Sequence, residues 1–230
     1  MMESYGIRSV SKFNIGGAKI EVTRTENSTT IVGEILKTDS SIKIGNIEFT
    51  IFNCKYFKDK KSDIIVDGNP FTEFKEVNPF KIYYSSKEKL LIANCSVGIC
   101  TPFLKYLKQS NPELVSYSGI DFDFVKIVRN KALVDQVWFS TSDTHARTKS
   151  FNGVRVDKNK EAMKAISDGK ASFIKVQIDV ASNGQNKKRT IGFSKKSGLT
   201  IFKNNDPSID DLQKKLQLLL DAYNTYGSFK

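Results

Sequence analysis

The chain has 230 residues, 39% hydrophobic and 27% charged, and its 36 Lys and Arg against 25 Asp and Glu give a formal net charge of +11. That is enough chain to bury a core, and 16 Phe with 8 Tyr argue against a disordered polypeptide. One His and three Cys leave little material for a zinc site, and no apolar stretch is long enough to span a bilayer.

In chain order, the N-terminus lacks the basic and apolar regions of a secretory signal. Residues 19–24 alternate polar and apolar, as a half-buried strand does. Residues 42–44 and 47–51 repeat the pattern across Gly45-Asn46, a hairpin signal. The charged run 55–63 reads as a loop, and Gly68-Asn69-Pro70 and Asn78-Pro79 read as breakers. These place a domain boundary near residue 77, with residues 1–76 β-rich and 77–230 mixed, or else one domain throughout.

Residues 80–84 and 90–94 read as paired strands. Thr101-Pro102 is a helix start, with Thr as cap and Pro in the first turn. Ile120, Phe122 and Phe124 alternate with Asp121 and Asp123, whose carboxylates fit the wet face of a strand. Val134, Val137 and Phe139 form another strand, with Trp138 pointing the opposite way. Residues 160–166 read as a helix ending near Gly169. Residues 174–180, 190–193 and 199–202 then form a three-stranded meander, with turns at Ser182-Asn183-Gly184 and Ser197-Gly198. A last amphipathic helix starts near Asp206-Pro207-Ser208 and covers a sheet with Ile209, Leu212, Leu216, Leu219 and Tyr223. Mixed strands and helices without βαβ alternation predict an α+β fold with mainly antiparallel sheet.

The charge is unevenly spread. Residues 151–200 hold eleven basic and four acidic residues, net +7 of the total +11. Such a concentration suits a polyanion partner, DNA or RNA. Only six of the basic residues are Arg, which favours backbone contact over base reading. The expected nucleic-acid surface spans residues 145–203: Arg147 and Lys149 after the strand of Trp138, Lys158, Lys160 and Lys164 around the following helix, and Lys187, Lys188, Arg189, Lys195 and Lys196 in the meander turns. Those two turns belong at opposite ends of an antiparallel meander, a layout that would track an extended polyanion.

The polar segment 140–150 holds the only histidine, His145, a candidate general base with Asp143 to orient it. Asp63 or Asp67, followed by Glu73 and Lys75, resembles the metal-binding core of PD-(D/E)xK nucleases, although the Pro that usually precedes is missing. There the carboxylates hold Mg²⁺ and the Lys helps position the attacking water. Cys54, Cys95 and Cys100 are odd in number and form no CxxC, so they read as reduced thiols of a cytoplasmic protein. GxGxxG, Walker A, GxSxG and HExxH motifs are all missing. The expectation is a non-enzymatic, sequence-independent nucleic-acid-binding or assembly protein without cofactor. The alternatives are a Mg²⁺-dependent nuclease, or a protein-interaction subunit or homo-oligomer, in a setting such as phage defence.

Overall fold

A computed structural model describes residues 2–129, 133–182, 185–202 and 211–229, with side chains left out of the description at 180–182, 185–187 and 229. Antiparallel sheet dominates, accompanied by four α-helices among the described residues. The mixture of elements is the expected one, and the balance lies further toward sheet. No helix among those residues is long and apolar enough to cross a membrane.

The chain forms two compact units, Val10–Tyr117 in one and Met1–Ser9 with Ser118–Lys230 in the other. Strand β1 (Met2–Phe13) gives its first residues to the second and its last to the first. Composition does not mark this division. Val77 lies inside a strand, β5 (Asn69–Ser85).

The unit Val10–Tyr117 is an antiparallel sheet in which β2 (Ile20–Thr25), β3 (Thr29–Ile44), β4 (Ile47–Val66), β5 and β6 (Leu90–Ala93) are neighbours in chain order. The Gly45-Asn46 turn joins Ile44 to its partner Ile47, and Ile82 pairs with Ala93, as the alternation predicts. The charged run 55–63 is strand rather than loop. Its charges face opposite charges on β5, with Lys60 3.4 Å from Glu76 and Lys61 2.9 Å from Glu73. Asn78-Pro79 does not break β5, because β6 joins it only from Ile82 onward. At Pro79 the strand has one neighbour, where a missing N–H is tolerated.

Helix α1 (Val97–Ser110) covers this sheet. It begins at Val97, before the expected Thr101-Pro102 start, and carries Pro102 inside it. Cys100, Phe103, Leu104 and Leu107, all 0% exposed, form one apolar stripe. Burying Cys100 on that stripe requires the helix to start a turn early. Phe103 meets Phe80 edge-on at 5.0 Å. Gly33 of β3 lies beneath it: a Cβ there would stand 2.5 Å from the Lys55 carbonyl oxygen and 3.1 Å from the Phe103 ring.

In the other unit the start of β1 is followed across the sheet by β12 (Gly198–Phe202), β11 (Gln185–Ser194), β10 (Ala171–Ser182), β8 (Leu133–Ser140) and β9 (Thr148–Asn152). The meander β10–β11–β12 is as expected; Asn183 and Gly184 of its first turn lie outside the described residues. β7 (Val115–Phe122) ends before Phe124, which opens helix α2 (Phe124–Arg129) instead of extending the strand. The cause is Asp123, whose Oδ1 accepts the Lys126 N–H at 2.9 Å and caps the turn. Helix α3 (Lys160–Ser167) is capped by Asn159, which accepts the Ala162 N–H at 3.0 Å.

Helix α4 (Leu212–Tyr226) starts at the cap Asp211; the expected start at Asp206-Pro207-Ser208 and Ile209 lies outside the described residues. Leu216 and Leu219 are fully buried, and the Tyr226 ring meets Phe193 of β11 edge-on at 5.7 Å. Lys215 pairs with Glu3 of β1 at 2.8 Å. The short strand β13 (Gly227–Phe229) then pairs with β7. Val137, Phe139, Ile174, Val176, Ile191, Phe193, Leu199 and Ile201 are buried on the helix-covered side of the sheet.

Candidate nucleic-acid interface

Strand alternation puts the remaining residues of that sheet on its opposite face. Trp138 pairs with Phe173, and the row continues to Ser150 beside Trp138 and to Ser194 beside Phe173. The next row holds Gln136, Lys175, Gly192, Thr200 and Ser4. Beyond it, Gln177, Thr190, Phe202 and Met2 follow. This face therefore carries three rings and a lysine where a solvated sheet face would carry short polar groups.

The rings are arranged by their neighbours. A Cβ on Gly192 would stand 2.4 Å from Cζ of Phe173 and 3.2 Å from Cε2 of Phe202, so both rings lie against bare backbone. Trp138 meets Phe173 edge-on, with centroids 6.3 Å apart, and remains 46% exposed. Lys175 holds its Nζ 4.7 Å above the Phe202 ring, a cation–π contact. At the far end the Gln177 amide donates to both Asp135 carboxylate oxygens, at 3.0 and 3.1 Å.

The loop 141–147 and the turn 195–197 border the Trp138 end. Ser140 donates its backbone N–H to the Lys170 carbonyl at 3.3 Å, and Thr141 donates to the Arg147 carbonyl at 3.2 Å. Arg147, Lys170 and Lys196 are exposed there. Lys195 turns to the helix side instead, where its Nζ donates to the Gly169 carbonyl at 2.6 Å and lies 5.8 Å from the Phe124 ring.

The sequence-predicted cations divide three ways. Arg147 and Lys196 lie in the loop and the turn at the Trp138 end of the ladder. Lys188, opposite Asp179, and Lys187, whose side chain lies outside the described residues, sit at the other end of the ladder. That is about 24 Å away, seven residues along a strand. Arg189 shares the face of Ile191 and Phe193. Lys149, Lys158, Lys160 and Lys164 belong to the helix side: Lys149 stands opposite Phe139 and reaches Glu161 of α3 at 3.2 Å. Phe173, Lys175 and Phe202 escape sequence reasoning as site residues. Their signal is the alternation itself, since Ile174 and Val176 inward put Phe173 and Lys175 outward.

The other candidates are not drawn together. Lys149 and Ser150, expected in a loop, lie in β9. His145 is exposed in the 141–147 loop, and the Asp143 carboxylate accepts its backbone N–H at 2.9 Å rather than orienting its imidazole. Asp63, Asp67, Glu73 and Lys75 are spread along the β4–β5 ribbon. Glu73 pairs with Lys61, Lys75 donates to the Ile31 carbonyl at 2.8 Å, and Asp67 sits in the end turn. Asp67 is about 20 Å along the ribbon from Glu73 at ~3.4 Å per residue. Among the described residues no group of three or more His, Cys, Asp and Glu side chains is placed to hold a metal ion. Burial pushes the Cys54 thiol up, well above the ordinary thiol range. No family model matches the chain, and no curated protein matches it in sequence.

Proposed function

We propose that the open sheet face around Trp138 and Phe173 binds single-stranded nucleic acid without base specificity. The observation that carries this reading is the exposed Trp138 set edge-on to a Phe173 ring whose Cζ–Cε2 edge lies against Gly192. Bases of a single strand stack on such rings because every base has a π-face, whereas a duplex keeps its bases stacked on one another. Arg147, Lys170 and Lys196 border the rings and meet phosphates, and Lys175 supplies a charge between them. Lysine-dominated contact positions the backbone and reads no base edge. The reading treats the chain as α+β, with helices backing one sheet face and ligand on the other, in a cytoplasm that keeps its three thiols reduced.

Trp138 is the only tryptophan, so intrinsic fluorescence reports this face alone. Titration with single-stranded DNA or RNA quenches it, with duplex DNA leaving it nearly unchanged. Stacking on one ring contributes ~1–3 kcal/mol. Trp138→Ala therefore raises the Kd of a labelled single strand about 5- to 150-fold at unchanged salt. Raising the salt weakens binding with a log–log slope of about −0.7 per phosphate contact. Absence of quenching and of binding at low salt, or wild-type affinity in both Trp138→Ala and Phe173→Ala, overturns the proposal.

A further inference from the structure

The β4–β5 ribbon extends past the rest of its sheet. Pairing of β3 to β4 stops at Gly33 and Tyr56, and pairing of β6 to β5 stops at Ala93 and Ile82. Among the described residues, the outermost polar contacts from elsewhere in the sheet are Arg24 to Asp59 at 3.1 Å and Lys75 to the Ile31 carbonyl. Beyond these, residues 61–73 pair only as two strands among the described residues, closed by Asp67 and Gly68, both at positive φ. Its end is apolar and solvated: Ile65 is 77% exposed, Val66 49% and Phe71 47%. A two-stranded ribbon is marginal by itself, and an apolar end on it gains by being covered. Residues 61–73 hold Lys61 against Asp63, Asp67 and Glu73, net −2, which excludes a polyanion as the covering partner.

The same unit carries a cleft of about 520 Å³ on its sheet. Leu36 and Pro79 line it with apolar side chains, and Lys19, Lys55 and Lys81 border it. Glu34 bridges two of these lysines, 2.7 Å from Lys55 and 3.3 Å from Lys19, which leaves the cleft at net +2. An apolar, acidic ribbon end and an apolar, basic cleft are complementary in both respects. Ten residues of β5, about 34 Å, separate Asn69 at the ribbon's turn from Pro79 at the cleft, so the end does not reach the cleft of its own chain.

We infer that the chain self-associates through this ribbon, with the Ile65–Phe71 end of one copy seated in the Leu36–Pro79 cleft of a second. Reciprocal insertion closes a two-fold dimer, and one-way insertion builds a ring or filament. The surface is independent of the proposed nucleic-acid face, which lies in the other unit.

The test is sedimentation velocity or light scattering on nuclease-treated, full-length protein from low to high micromolar concentration. Wild type associates with rising concentration. Ile65→Ser/Phe71→Ser, two exposed changes that leave circular dichroism and melting unaltered, weakens association at least tenfold. Lys81→Glu weakens it, and adding Asp67→Lys to Lys81→Glu restores it. A wild type that stays monomeric over the range, or association unaffected by the ribbon variant, overturns the inference. Binding of the ribbon end to lipid vesicles by a monomeric protein overturns it too.

Discussion

Gly192→Ala is the most discriminating perturbation of the open sheet face, because its sign depends on a single neighbouring ring. The backbone at Gly192 is free of positive φ, so alanine is conformationally acceptable there. In a strand that exchange normally stabilises by roughly 0.5–1 kcal/mol, through the lost chain entropy of glycine. Here the new Cβ would stand 2.4 Å from Cζ and 2.6 Å from Cε2 of Phe173. Carbon atoms settle at about 3.5–4.0 Å, so the ring must withdraw by more than an ångström. Overpacking of this kind costs about 1–3 kcal/mol, which outweighs the entropic gain. Gly192→Ala therefore destabilises by roughly 0.5–2 kcal/mol. In a Phe173→Ala background the obstacle is gone, and only the Phe202 ring at 3.2 Å has to yield by a few tenths of an ångström. The same substitution is then neutral or stabilising. Equilibrium urea denaturation of the four proteins closes the cycle, with an expected coupling of ~1–3 kcal/mol. Trp138 emission gives a second readout, since displacing Phe173 removes its edge contact. An equal cost for Gly192→Ala in both backgrounds refutes the packing, and with it the ring platform on which the proposed stacking depends.

Two further outcomes concern the unit Val10–Tyr117. Phe103→Ala removes a fully buried ring packed on Phe80 and over Gly33, and lowers stability by about 3–5 kcal/mol in a denaturant titration; a loss below 1 kcal/mol contradicts that packing. Hydrogen bonds from Lys55, with help from Lys19, hold the Glu34 carboxyl below the usual carboxylate range. A lowered folded-state pKa means its stabilisation is full above the unfolded pKa and disappears as pH falls through the folded one. Both lysines are about half exposed, so the effect is at most ~1 kcal/mol. Glu34→Gln should lower the melting temperature slightly at pH 7 and make no difference in strong acid, and a deficit that persists in acid contradicts the linkage.

Local patterning was enough to mark which side of strands such as β8 and β10 faces inward. Period-two alternation in β8 and β10 and the helical spacing in α4 follow from apolar burial, which acts residue by residue and is therefore visible locally. The sequence also concentrated positive charge in residues 151–200, without saying what that charge surrounds. Ladder neighbours were beyond its reach. The run 55–63 is strand because it continues the ladder to β5, where Glu73 and Glu76 accompany its lysines, and α1 starts before Thr101 with Cys100 on the stripe of Phe103. Only tertiary structure set Phe173 and Phe202 over Gly192 and turned Lys149 and Lys195 to the helix side. Those arrangements depend on register between distant segments, and register is a property of pairs of strands that no single strand carries.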